Sequence, residues 1–441
     1  MKLKLTLAAA ALVLAGVTAA PALAQNEQFM PVLPYRTGGF APNGIPWANG
    51  YVDYLNMLNE RDGGIGGVKL LLEECETAYA TDRGVECYER LKGKGPTGAS
   101  VFNPLSTGIT FALMDKAPVD KIPVITMGYG RSEAADGSVV EWTFPLLGTY
   151  WTAADVQIHY LANTLGGYDK LKGKKIAHLY LDSPYGKEPI PVLEALSKKW
   201  GYELMLLPVA AASMTEQKST WLQIRQARPD FVLLWGYGTM NSAAIKEAAS
   251  VGYPRNQMLG GWWAGAEPDV LPAEDGADGY KALAFHPGGA FPVHADITKF
   301  LYDKGKGVGK KEEINQVLYN RGMINAMLAT EAIRTAQAKY GKKPLTGEQV
   351  RWGIENLKLP EARLKELGFA GLVAPFNVTC ANHEGPHSAL VHQWDAKTKT
   401  WKNVSDWIEA DQALLQPMIK AAAAKYAEEK KITPRDCSKV N

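Results

Sequence analysis

Only four cysteines occur in 441 residues, and no C-x-x-C pair exists, which excludes a cysteine-built zinc finger or ribbon. The formal net charge is only +2, with no dense Lys/Arg block, so charge gives no case for a nucleic-acid surface. The short Gly-rich stretch "KGKGVGKK" (304–311) reads as a solvated loop. It misses the P-loop pattern, because its glycine spacing is one short and no Ser or Thr follows the Lys. No serine sits in a G-x-S-x-G elbow. "GGIGG" (63–67) follows a helical pattern and precedes a strand, the wrong order for a dinucleotide site. Past the N-terminus, no stretch reaches the roughly 18 apolar residues of a membrane span.

What is present is an ordinary globular composition, 46% hydrophobic and 21% charged, on a chain long enough for two or three lobes. It starts "MKLKLTLAAAALVLAGVTAAPALAQ". Two lysines, an apolar run and Ala22-Leu23-Ala24 form the three-part layout of an export signal, with cleavage expected after Ala24. Gln25, not Cys, stands directly after that point, so a lipid anchor there is not expected. In an oxidising compartment an even cysteine count reads as disulfides. Three pairings are possible. Cys75–Cys87 with Cys380–Cys437 is favoured, the first because its loop is short and easy to close.

Strands and helices then alternate. "FMPVLPY" reads as a strand, followed by a loop and a helix with Trp47, Tyr51, Tyr54, Leu55 and Leu58 on one face. Gly63 and Gly64 end that helix. Strands follow at 68–72, 101–102 and 122–127, with a helix near 83–91 and another N-capped by Ser106 or Thr107. The pattern repeats with strands at 174–181, 202–209, 229–236 and 257–263 and helices at 187–200, 217–227 and 240–251. A largely helical stretch (294–304, 316–340, 347–356) comes next. Short strands near 372–379 and 388–394 and a long helix (409–430) close the chain. Apolar strands separated by helices of ten or more residues predict parallel, doubly wound sheets. Ligands in such sheets bind beyond the carboxyl ends of the strands. That rule selects 36–43, 103–107, 128–131, 182–185, Tyr237, 262–263 and 285–286. These segments are rich in Gly, Ser, Thr and aromatics and poor in acid–base pairs.

The stretches "GIPWANGYVDYLNMLNERDGGIGGVKLLLEECET", "FNPLSTGITFALMDKAPVDKIPVITMGYG", "YLDSPYGKEPIPVLEAL" and "PDFVLLWGYGTMNSAAIKEAASVGY" resemble the periplasmic solute-binding proteins of branched-chain amino acid type ABC importers. The resemblance runs from about Met30 to Asp395. It implies an α/β fold of two doubly wound parallel-sheet lobes joined by three crossover strands, the type I periplasmic binding protein fold. The crossings would fall near Phe144-Pro145, near Ala284-Phe285 and near 372–376. The implied division is signal 1–24, first lobe 25–144, second lobe 145–284, first lobe again 285–372, and a return to the second lobe with a helical tail in 373–441. A small-molecule ligand, a membrane permease as partner, a periplasmic location, a monomeric state and no cofactor are the expectations that follow. Chemistry is not expected.

The resemblance also places a ligand site. The carboxylate-binding Ser/Thr of the family falls on Thr107, with Ser106 before it, where a helix N-terminus offers N–H groups to an anion. Two further carboxylate contacts of the family fall on Gly128 and Gly130, with Tyr129 between them. Tyr185 in "SPYG" and Tyr237 in "WGY" would cover the ligand. Asn43, in the segment 36–43 that the strand-end rule selects, is added to this set. Amino-acid binders of the family carry an acid where this chain has Trp262. Burying an ammonium without a partner costs several kcal/mol, so an aromatic or apolar carboxylate fits best, with Trp262, Tyr129, Tyr185, Trp235 and Tyr237 as walls. His286 and Arg36 could pair a ligand oxygen from the cleft edge, and His286 could equally be a hinge residue. A branched-chain amino acid or small amide is the alternative ligand.

One motif points to another class. "HEGPH" (383–387) fits H-E-x-x-H, the zinc-protease pattern, and a metal-dependent hydrolase using His383 and His387 would follow. Zinc ligation by that motif needs a continuous helix. Pro inside a helix costs about 3 kcal/mol and Gly about 1 more. The flanks alternate like strands, so a turn is expected here and no metal site.

Overall fold

The computed structural model describes residues 26–440; the expected export signal and cleavage site lie outside the described residues. The first sheet is parallel. Glu27–Val32 pairs with Lys69–Glu74, Met30 opposite Leu72. On its other side Ser100 N donates to the Phe29 carbonyl at 3.2 Å. Phe102 bridges to Val124, and Val124–Ile125 pairs with Thr143–Phe144. The second sheet runs Glu203–Val209, Lys175–Leu181, Phe231–Trp235, Met258–Gly260, Lys281–Ala284, all parallel. In both sheets the second strand lies outside the first, the doubly wound order.

The second sheet is mixed rather than purely parallel. Ser388–Asp395 joins antiparallel to Lys281–Ala284 and continues into a hairpin with Thr400–Asn403. A turn that short can join only antiparallel strands. The strand expected over 257–263 stops at Gly260, so Trp262 and Trp263 turn out of the sheet. The helix Tyr150–Leu165 was not anticipated from the sequence. Its start is set by Thr149, whose hydroxyl accepts from Thr152 N at 3.2 Å.

The first helix, Ala41–Asp62, buries Trp47, Tyr51, Tyr54, Leu55 and Leu58 as their spacing predicts and ends at Gly63 with φ 68°. It packs against Val317–Tyr340 at a glycine contact. A Cβ on Gly50 would lie 2.1 Å from the Tyr319 carbonyl oxygen, and one on Gly322 2.0 Å from that of Trp47. Both disulfides have the favoured pairing, Cys75–Cys87 and Cys380–Cys437. The C-terminal helix Gln412–Lys430 spans both lobes. Asp411 at its start pairs with Lys199 at 2.9 Å; near its end Tyr426 and Ala427 pack on Met114, Val139 and Val140, and Lys430 pairs with Asp115 at 2.6 Å.

HEGPH is not helical. Gly385 sits at φ 83°, which favours glycine. His383 bonds the Thr143 carbonyl at 3.0 Å and Glu355 at 3.1 Å. The Glu384 carbonyl accepts from Leu147 N at 2.8 Å, and its carboxylate accepts from Thr149 N at 2.8 Å and bonds His387 at 3.0 Å. The stretch therefore ties the first passage between the lobes to the third.

Candidate binding cleft

The cleft is built from loops at the carboxyl ends of strands in both sheets. After Lys69–Glu74, Cys75 is bonded to Cys87 in the helix Thr81–Leu91. The closed loop carries Ala78 and Tyr79 at positive φ, 49° and 63°, and holds Tyr79 toward the second lobe, its ring 5.5 Å from that of Tyr237. Ser106 caps the helix Thr107–Leu113, its hydroxyl accepting from Ile109 N at 3.4 Å. Tyr129 is fixed from two sides, since its hydroxyl donates to Asn103 Oδ1 at 2.6 Å and accepts from Leu105 N at 2.7 Å. From the second lobe come Tyr150, Tyr185 and Tyr237. The Tyr185 hydroxyl donates to the Gly236 carbonyl at 3.1 Å.

These groups line a cavity of only about 10 Å³, walled by Tyr79, Leu105, Ser106, Thr107, Tyr129, Tyr150, Tyr185, Tyr237 and Trp263. That is far below the roughly 300–1,000 Å³ of drug-sized pockets and about the room of a single water, so the lobes are closed on one another here. Its titratable lining groups are phenols. Burial, with neighbouring phenols adding to it, holds Tyr129, Tyr150, Tyr185 and Tyr237 well above their ordinary range. The wall therefore offers aromatic faces and neutral hydroxyls, and no carboxylate. The lobes also meet directly. Thr107 Oγ1 lies 3.1 Å from the Tyr150 hydroxyl, Tyr35 and Tyr237 share a hydroxyl–hydroxyl hydrogen bond, and Thr239 N donates to the Gly39 carbonyl at 2.9 Å.

The structure brings together Ser106, Thr107, Tyr129, Tyr185 and Tyr237 from the sequence-predicted set. The others lie outside the lining. Trp262 is 1% exposed and wedges behind the cleft, edge-on to Phe285 at 5.2 Å; its neighbour Trp263 faces the cavity instead. Both indole N–H groups donate to the Gly128 carbonyl, at 2.7 and 2.8 Å, so Gly128 holds the tryptophans rather than lining the cavity. Gly130 stands against Thr126 and Thr110. Asn43 is buried and donates to Asp269 Oδ1 at 3.2 Å. Trp235 is core, packed behind Tyr150 and Tyr185. Arg36 is bound at the edge by Glu74 at 2.8 Å and Asn49 at 2.8 Å.

His286 has both ring nitrogens engaged. Nδ1–H donates to the Pro287 carbonyl at 3.0 Å, and Nε2 accepts from Arg321 Nε at 3.1 Å. Burial and the adjacent guanidinium hold it well below its ordinary range, hence neutral.

The sequence reasoning missed Tyr79 and Tyr150 of the lining and the buried Arg321 behind Trp263, while Leu105 and Trp263 fell inside the selected segments 103–107 and 262–263. Tyr150 opens the unanticipated helix. Arg321 had a signal: it sits in "VLYNRGMINAML" at helical spacing from Val317, Ile324 and Leu328, a charge on an apolar face.

The periplasmic binding protein family model matches residues 27–399. The chain belongs to the periplasmic binding protein family. A solved protein from the Pseudomonas fluorescens group, described as an ABC transporter permease, is 44% identical, with a TM-score of 0.85 over 94% of this chain and 100% of that one. Among the described residues of this binding protein, no helix is long and apolar enough to cross a membrane. A branched chain amino acid ABC transporter protein from Thermus thermophilus with bound valine is 20% identical (TM-score 0.73, covering 88% of this chain and 98% of that one). A solute binding protein from R. palustris in complex with benzoate is 16% identical (TM-score 0.65, covering 88% and 98%). No curated protein matches the chain. As a member of this family the protein is an extracytoplasmic binding protein and not an enzyme.

Proposed function

We propose that this binding protein captures a small aromatic or apolar carboxylate in the tyrosine-lined cavity and delivers it to its membrane permease, after export on the N-terminal signal cleaved following Ala24. The observation that carries the ligand class is the wall itself. Five tyrosines and Trp263 converge from both lobes on one small cavity. Aromatic pairs contribute roughly 0.5–1.5 kcal/mol beyond buried area, and hydroxyls with the start of the helix Thr107–Leu113 can meet a carboxylate. With no acid in the lining, the ammonium of an amino acid would be buried without a partner. Because ligand contacts come from both lobes, the ligand stabilises the closed form.

The neutral hydroxyls also support a second reading, an uncharged amide. Thermal unfolding against benzoate, benzamide, leucine and a short fatty acid separates the cases. A ligand at 100 times its Kd stabilises by about 2.7 kcal/mol. Stabilisation by leucine with none by benzoate or the fatty acid would overturn the carboxylate reading.

A further inference from the structure

Arg321 is fully buried and has no acid within ion-pairing distance among the described residues. Its guanidinium lies over the ring of Trp263 and over that of Phe285, 4.5 Å from each centroid. Nε is held by His286 at 3.1 Å and Nη1 by the Trp262 carbonyl at 2.6 Å, while Nη2 has no hydrogen-bond partner. Removing a cation from water costs several kcal/mol unless a counter-charge and hydrogen bonds compensate it. Here every partner is neutral: a carbonyl, an imidazole and two ring faces.

The acids nearby are committed elsewhere. Asp269 accepts from Asn241 at 2.9 Å, from Ala266 N at 2.9 Å and from Asn43 at 3.2 Å. Glu267 accepts from Val317 N at 3.0 Å. Burial pushes Asp269 up to about 6 and Glu267 up to about 7, so near neutrality Asp269 stays mostly charged and Glu267 partly so, and both act on Arg321 only from beyond ion-pairing distance. Burial also lowers Arg321, to about 10, which leaves it protonated in any physiological medium.

This cation touches Trp263, a wall of the cavity, and the tyrosines that line the rest are uncharged. A field from a buried charge with no ion-pair partner is screened far less than at the surface. We infer that Arg321 is the specificity-determining cation of the cleft, selecting a ligand with an anionic group over its uncharged amide. The inference rests on the carboxylate reading above. Arg321 supplies the countercharge that the lining lacks, and the ligand adds an anion on the one side where Arg321 has none. His286 is a positioning residue for it, since its neutral Nε2 fixes the guanidinium plane.

The test compares Kd for benzoate and benzamide, matched in shape and different in charge, by calorimetry. Wild-type protein should bind benzoate at least tenfold tighter. Arg321→Gln and Arg321→Met should lose that preference, weakening benzoate at least tenfold and leaving benzamide within about twofold. Arg321→Lys should keep a benzoate preference. A folded Arg321→Gln with an unchanged benzoate-to-benzamide ratio overturns the inference, as does an equal loss of both ligands, which marks a structural role only. Wild-type protein that binds benzoate with no preference over benzamide also overturns it while leaving the aromatic-ligand reading standing; wild-type protein that binds neither overturns both. Should the neutral variants fail to fold, the arginine side-chain ¹H–¹⁵N signals of the wild type decide. Arg321 should shift on saturation with benzoate and not with benzamide, and an unmoved signal overturns the proposal.

Discussion

Thr107 and Tyr150 face each other across the cleft, hydroxyl to hydroxyl at 3.1 Å, one at the start of a first-lobe helix and the other at the start of a second-lobe helix. Thr107→Val keeps the shape and removes the hydroxyl. A single hydrogen bond contributes about 1 kcal/mol, so benzoate affinity should fall roughly fivefold while the unfolding midpoint moves little. Calorimetry paired with thermal unfolding checks both.

The two tryptophans should separate in the same assays. Trp262 is fully enclosed, and Trp262→Ala should cost about 3–5 kcal/mol of stability. Trp263 lines the cavity, so Trp263→Phe, which keeps a ring but loses the indole, should weaken ligand binding more than it lowers the unfolding midpoint. A Trp262→Ala protein of wild-type stability would contradict the packing seen here.

Glu188 couples the lobes to pH. Its Oε1 accepts from Ser132 N of the first lobe at 2.8 Å, and burial, reinforced by the Glu133 charge, pushes it up to about 7. A carboxyl raised on folding contributes stability that is fully present below its unfolded value of 4.5 and is lost as pH rises through about 7. Glu188→Gln should match wild type near pH 5 and exceed it at pH 8 by about 1 kcal/mol, screening included. Denaturant titrations at the two pH values measure this.

The disulfides should contribute unequally. Cys380–Cys437 closes a separation of 57 residues and Cys75–Cys87 one of 12. Loop entropy assigns about 4 and about 3 kcal/mol. Cys437→Ser should lower the unfolding midpoint more than Cys87→Ser, whereas Cys87→Ser, by freeing the loop with Tyr79, should weaken ligand binding more.

His383 offers a further check. Burial opposes ionisation of Glu355, yet hydrogen bonds from His383 and Arg435 hold it down at about 2. His383→Ala leaves that buried carboxylate short of a partner and should cost about 3 kcal/mol, while added zinc should leave the wild-type unfolding midpoint unchanged.

The fold was legible because its signals are local. Strand 175–181 and helix 317–340 were located within a residue or two by apolar runs and helical spacing. The two Gly residues after Asp62 ended a helix because only the left-handed conformation fits there. Helix Tyr150–Leu165 was not legible. It is largely buried, so it lacks the alternating polar face from which periodicity is read.

By itself, the sequence determined the alternation that builds two doubly wound sheets, the family, and the segments that reach the cleft, since each follows from residue spacing along the chain. Only the tertiary structure decided which of two adjacent tryptophans faces the cavity, because that depends on Gly128 accepting both indoles from the other lobe. It also turned HEGPH from a zinc motif into a tie between the lobes, and left Arg321 without an acid beside the wall. Those three outcomes depend on partners tens of residues away in the chain, and no local pattern encodes a distance of that kind.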